Sequence, residues 1–202
     1  MSDKSKIKNS PQKWDKFYAA GAKYRQLNQF FLDRLIGKVE KMAGKKINIV
    51  IDLGCGNGAA LAQFKERGYK SIGVDFSSFA IREARKRNLQ ARFINGDLTS
   101  LSALDIPKGA GLILCNLTVA FIKNKGKFFT DVKKLMSKKS TFCIITSVLH
   151  DGIDYGLEDK PGIAVNYKKI KAQLRQTFRK VIEFNNDYVG LKTHIVTFLA
   201  TK

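Results

Sequence analysis

The residues with most capacity for chemistry run D-L-G-C-G-N-G, from Asp52 to Gly58. Gly54, Gly56 and Gly58 alternate behind an apolar run, I-N-I-V-I, and open a helix-like pattern, with Asp52 two positions ahead of the first glycine. Glycines spaced this way let a backbone turn tightly and approach a ligand closely. Two more acids occupy comparable points, Asp75 at the end of S-I-G-V-D and Asp97 in R-F-I-N-G-D-L.

The spacing G-x-G-x-G brings the third glycine one position early for the dinucleotide fingerprint. N-G-A-A-L lacks the Gly-Lys-Ser/Thr ending of a P-loop, which argues against a nucleoside triphosphate. Asp52 beside a pyrophosphate would set like charges together, whereas it suits an ammonium or another cation. Asp75 can accept from both hydroxyls of a ribose, and Asp97 from an adenine amino group. A ribose, an adenine and a cationic amino-acid tail together describe S-adenosylmethionine. A nicotinamide dinucleotide stays open on the glycines alone, and a tight structural turn is the plain alternative.

These acids work together only if several strand ends meet. From Ile47 onward, short apolar runs alternate with amphipathic ones. Strands are predicted at Ile47–Leu53, Ser71–Asp75, Ala91–Asn95, Gly111–Asn116 and Thr141–Val148, with helices at Gly58–Arg67, Ser78–Asn88 and Gly126–Met136. Thr99–Leu104 has room for a short helical turn only. The nearly unbroken apolar runs suit parallel strands buried on both faces, joined by right-handed crossovers. Near the C-terminus Asn166 is placed to cap a helix, and Phe178–Phe184 and Thr193–Ala200 read as an antiparallel pair. Ahead of the first strand, Pro11 to about Ala43 repeats apolar residues (Phe30, Phe31, Leu35, Val39, Met42) at helical spacing.

D-L-G-C-G-N-G, G-V-D-F-S and N-G-D-L, taken together, resemble the class I S-adenosylmethionine-dependent methyltransferases of the small-molecule type. The resemblance covers about Ile47 to Lys202. It implies an α/β fold: a seven-stranded, mostly parallel Rossmann-like sheet with helices on both faces, ending in an antiparallel β-hairpin. Residues 1–46 would form a helical cap on a single domain spanning 47–202. The resemblance also implies that the loop Asp52, Gly54, Cys55, Gly56 and Gly58 binds the cofactor, with Gly54 and Gly56 close to the methionyl part, and that Asp75 holds the ribose. Phe76, Asp97 and Leu98 would face the adenine, with Asn116 near the reacting methyl. W-D-K-F-Y-A-A-G (14–21) is similar to a segment that folds over the cofactor in several such enzymes.

His150 follows the fifth strand in S-V-L-H-D-G-I-D-Y-G, at the ligand-facing edge, where an imidazole can serve the acceptor as a base. An exposed loop histidine is the plain alternative; His194 reads as structural, and Trp14, Tyr18 and Tyr24 as helix-packing aromatics. C-N-L-T (115–118) lacks the prolines found there in enzymes that methylate bases of nucleic acid, and Cys115 is expected to point into the sheet. Asp151, Asp154, Glu158 and Asp159, with Tyr155 among them, would give the acceptor side an acidic rim, favouring a small molecule over a phosphate backbone.

The net charge of +20 keeps an RNA acceptor in view. It comes from 28 lysines against 9 arginines, spread along the chain, as in a solvated coat. No apolar run suits a membrane span, and Met1–Ser10 is too polar for a signal peptide. Three cysteines without metal spacing suggest reduced thiols in a cytoplasmic protein, monomeric or homodimeric, with no metal. A non-catalytic protein that binds S-adenosylmethionine is the third reading.

Overall fold

The computed structural model describes residues 9–21, 26–87, 90–151, 164–184 and 194–202. Five parallel strands are laid down in the expected order: β1 (Ile49–Leu53), β2 (Lys70–Asp75), β3 (Arg92–Asn95), β4 (Leu112–Asn116) and β5 (Thr141–Leu149). Helices α3 (Ala59–Glu66), α4 (Ser78–Arg87) and α5 (Lys125–Leu135) cross between them. A 3-10 turn, Leu98–Ala103, follows β3. The chain ends with β6 (Val165–Asn166), α6 (Tyr167–Thr177), β7 (Lys180–Phe184) and β8 (His194–Thr201).

The strand order is β3-β2-β1-β4-β5-β8-β7. β8 runs antiparallel to both β5 and β7. The seven expected strands form this path, and the two-residue β6 joins it as an eighth, parallel to β5. A two-residue strand spans a single period of alternation and cannot repeat it, so the sequence carries no pattern for it.

Alternation sorts each central strand between two apolar layers. Ile51, Ile113, Cys115, Phe142 and Ile144 face the layer of α5 and α6. Val50, Leu112, Leu114, Cys143 and Ile145 face the layer of α2, α3 and α4. Both faces being covered explains why these runs read as almost continuously apolar.

The N-terminal pattern divides into two helices, α1 (Pro11–Ala19) and α2 (Gln29–Ala43). Ser10 caps α1 ahead of Pro11, and Gly21 at φ +79° lies just beyond its end. Asn28 caps α2, whose stripe Phe31, Leu32, Leu35, Ile36 and Val39 is buried. Phe30 falls outside that stripe: it is 67% exposed, with the Arg34 guanidinium over its ring. Gln63 of α3 accepts from Leu27 N at 2.9 Å and donates to Leu27 O at 2.7 Å, which ties the start of α2 to the domain. Parallel order reverses between β1's two neighbours, β2 and β4, so the cleft opens at the strand ends where these sheet halves diverge.

Candidate functional site

The glycine loop is stitched to the end of β2. Gly54 N and Cys55 N both donate to Val74 O, at 2.7 and 3.0 Å. Gly56 N donates to Asp75 Oδ2 and Ser77 N to Asp75 Oδ1, each at 2.9 Å. Each carboxylate oxygen keeps a lone pair for a further donor. Gly54 (φ +86°) and Gly56 (φ +52°) lie in the left-handed region, and neither has space for a Cβ. At Gly54 a Cβ would strike the Thr118 side chain, and at Gly56 the Tyr18 hydroxyl.

Two adjoining cavities follow the loop. The larger, about 550 Å³ of empty space, is lined by Gly54, Asp75, Phe76, Asp97 and Leu98, and also by Trp14, Tyr18 and Phe121. The smaller, about 310 Å³, is lined by Asp52, Gly54, Cys55, Gly56 and Asn116, again with Tyr18. Gly58 is not among the lining residues. It opens α3 in the left-handed conformation at its N-terminus.

The smaller cavity is electrostatically unfinished. Asp52 is 2% exposed, and burial, with the neighbouring Asp75 charge, pushes its carboxyl up to about 8. Asp75 is also raised by burial, against the pull of the N–H donors of Ser77 and Gly56. Among the described residues three buried side-chain oxygens have no hydrogen-bond partner: Asp52 Oδ1, Asn57 Oδ1 and Asn116 Oδ1. Each such group costs about 1–3 kcal/mol. Two of the three line the same small cavity, where a cation with several N–H donors would satisfy both.

Around the larger cavity, Asp97 Oδ1 accepts from Thr99 N at 2.8 Å, capping the 3-10 turn while its residue lines the wall. Beyond β4, Leu117 holds φ +53°, a conformation that costs a non-glycine residue about 1–2 kcal/mol. Thr118 Oγ1 lies 3.0 Å from Asn116 O and 3.4 Å from Gly54 O, bridging the two loops that frame both cavities.

Comparison with known proteins bears directly on this cleft. The methyltransferase domain family matches residues 45–192, well over half of the chain. The chain belongs to that family. A Dictyostelium discoideum protein, named provisionally as a methyltransferase, is 25% identical over 207 residues, covering 90% of this chain and 77% of its own. The plantazolicin methyltransferase BpumL, solved with a pentazolic desmethylPZN analogue and S-adenosylhomocysteine (SAH), superposes with a TM-score of 0.71. It is 17% identical, with 94% of this chain and 90% of that one covered. A TehB-like S-adenosylmethionine-dependent methyltransferase from Corynebacterium glutamicum gives 0.61 at 14% identity, with 95% of each chain covered. At these identities the solved structures establish the Rossmann-like fold.

Two features of this methyltransferase depart from the sequence reading. Trp14 and Tyr18 pack with Phe17 and, for Trp14, Phe121, as helix-packing aromatics do, but both also line the larger cavity, and Tyr18 reaches the smaller one. The one sequence signal for this was W-D-K-F-Y-A-A-G; Thr118 and Phe121 carried none. Tyr24 lies outside the described residues.

His150, by contrast, is not brought to either cavity. Val148 of β5 pairs with His194 of β8, so the next turn of chain sets the two imidazoles together, His150 Nε2 to His194 Nδ1 at 3.1 Å. The His150 ring also lies tilted against that of Tyr167, with centroids 4.6 Å apart. Asp151 is likewise engaged, accepting from Asn166 at 2.7 Å and pairing with Lys168 at 3.2 Å. Asp154, Tyr155, Glu158 and Asp159 lie outside the described residues. Cys115 points into the sheet as expected, and burial raises the thiols of Cys55, Cys115 and Cys143, keeping them protonated.

Proposed function

We propose that this methyltransferase carries a methyl group from S-adenosylmethionine to a small-molecule acceptor bound beneath α1. The observation that carries the reading is the pair of unpartnered buried oxygens, Asp52 Oδ1 and Asn116 Oδ1, lining one small cavity next to a larger one walled by Asp75, Phe76 and Leu98. An amino-acid tail with its ammonium suits the first, and an adenosine the second.

In this reading Asp52 and Asn116 receive the ammonium, and the paired glycines let the methionyl part lie against bare backbone. Asp75, its carboxylate already aimed by Gly56 N and Ser77 N, takes the ribose hydroxyls. Phe76 and Leu98 flank the adenine, and Asp97 accepts from its amino group. When bound, the cofactor would supply a sulfonium methyl to an acceptor lone pair aligned with the carbon–sulfur bond, its sulfur leaving as a neutral thioether. The chain's contribution is orientation and exclusion of water, worth about 7–11 kcal/mol for well-placed reactants, so a strong base is not obligatory. A small acceptor suits a cleft roofed by Trp14 and Tyr18, and BpumL, of the same fold, is a plantazolicin methyltransferase crystallised with SAH.

Thermal unfolding against S-adenosylmethionine, SAH and NAD tests the cofactor: at about 100 times its dissociation constant a ligand stabilises by about 2.7 kcal/mol. Shifts with the first two alone are expected, and a shift with NAD alone would sink the reading. Methyl-labelled cofactor offered to metabolite and RNA fractions then tests the acceptor. One observation favours RNA as a second reading. α5 and α6 pack side by side and expose Lys127, Lys134, Lys168, Lys169 and Arg175, a patch that stays positive although Lys127 and Lys134 share Asp131 and Lys168 pairs with Asp151. RNA affinity that does not fall with salt removes that alternative.

A further inference from the structure

We propose that Asp15 is the latch that holds α1 closed over the cleft and so sets how long the cofactor stays bound. The proposal rests on the cofactor reading above and adds to it a residue that touches neither cavity.

α1 has two working sides. Trp14 and Tyr18, four residues apart and therefore on one side, wall the cavities, and the Tyr18 hydroxyl stands over Gly56. Tyr18 is only 8% exposed and lines both cavities, so a ligand filling them lies behind this helix. Asp15 faces away from the cavities, toward the start of α4. Its Oδ1 accepts from Ser77 Oγ at 2.5 Å and from Phe79 N at 3.0 Å, and its Oδ2 from Ser78 Oγ at 3.3 Å. One carboxylate thus takes three donors from the first turn of a helix more than sixty residues away in sequence.

The arrangement is electrostatically favourable. Free N–H groups and the positive end of the helix dipole attract a carboxylate, and Arg82 adds to that field. Burial acts to raise Asp15, but hydrogen bonds from Ser77, Phe79 and Ser78 outweigh it and hold the carboxyl below its ordinary range. The latch therefore stays charged at neutral pH. α4 does not need Asp15 in order to be capped, because Ser77 Oγ already accepts from Ala80 N at 3.1 Å. What Asp15 adds is the bond between helices.

Ser77 joins the latch to the site. Its N–H orients Asp75 Oδ1, and its hydroxyl donates to Asp15. The acid assigned to the ribose and the acid that closes the roof are therefore separated by a single residue. A neutral attachment lies on the cavity side of α1: Trp14 Nε1 donates to Asn9 Oδ1 at 2.7 Å, Asn9 Nδ2 donates to Phe121 O at 3.2 Å, and the Trp14 ring meets Phe121 edge-on at 5.1 Å. Asp15 supplies the charged anchor of this lid, so its removal is the change that should loosen α1 most.

The test is the dissociation rate of SAH from the full chain, followed by displacement, in wild type, Asp15→Ala and Ser78→Ala. Asp15→Ala should speed release by about tenfold or more, and Ser78→Ala by less, with association not slowed. Release within about twofold of wild type in Asp15→Ala overturns the latch. Melting temperatures of the ligand-free variants are read in parallel, since a purely structural role lowers stability without speeding release. Hydrogen exchange of the α1 amides separates this proposal from the cofactor reading. A wild type that fails to bind SAH removes the cofactor, whereas α1 exchange unchanged by Asp15→Ala removes the latch.

Discussion

Two regions along one sheet handle their polar groups in opposite ways, the first buried and the second largely exposed. Where β1, β2 and β4 end, Asp52 and Asn116 present oxygens with no partner, and burial lifts both Asp52 and Asp75 above the usual carboxylate range. Where β5 and β8 meet, the polar groups satisfy one another: His150 with His194, Asn166 with Asp151, and Tyr167 with Glu183, which also pairs with Lys171 at 2.5 Å. Glu183 shows the consequence, since burial acts to raise it but Lys171 and Tyr167 outweigh that and lower it. Both ends hold residues that can do chemistry. Unmet need separates them, because a folded chain tolerates an orphaned buried acceptor mainly where something else arrives to complete it.

The contrast is best broken at Asp75. Asp75→Ala removes the acceptor for Gly56 N and Ser77 N together with the proposed ribose anchor, and S-adenosylmethionine affinity measured by calorimetry should fall about a hundredfold. Unchanged affinity would move the ribose elsewhere. Gly56→Ala is expected next. Its Cβ overlaps the Tyr18 hydroxyl and its φ of +52° disfavours any other residue, so stability should drop by about 1–2 kcal/mol in denaturant titrations. Recovery of that loss in Gly56→Ala combined with Tyr18→Phe would assign it to the overlap rather than to the backbone.

Asp52 sharpens the comparison through pH. Its carboxyl titrates near 3.8 ordinarily and at about 8 in the fold, so between those values the folded protein holds more protons than the unfolded one. Stability without ligand should therefore fall as pH rises through that window, and Asp52→Asn should flatten the slope. An ammonium beside Asp52 favours the ionised form, so cofactor binding at neutral pH should release a proton, seen as a dependence of binding heat on buffer. The smallest effect belongs to the satisfied end: His150→Ala should leave SAH affinity within about twofold, with a stability cost of about 1 kcal/mol or less. A large loss of affinity there would erase the distinction between the two ends.

Much of this was readable in order along the chain. The five parallel strands end within two residues of where alternation and apolar runs placed them, and the Asn166 cap is present, accepting from Lys169 N at 3.0 Å. Local chemistry accounts for both, since apolar runs and cap residues act over a few positions. The misreadings involve distance. Phe30 read as part of the buried face of the N-terminal helical segment, because periodicity locates a stripe but not its neighbour. His150 looked available because its partner, His194, lies 44 residues on, across an antiparallel register no local pattern encodes.

The sequence by itself determined the order of strands and helices, the glycine loop and the acids that close β1 and β2, since each depends on residues adjacent in the chain. Only the tertiary structure decided which polar groups stay unpaired, that Tyr18 covers Gly56, and that Asp15 reaches the first turn of α4. The physical reason is that satisfaction and burial depend on what arrives from elsewhere, and those arrivals are set by the packing of both faces of the sheet.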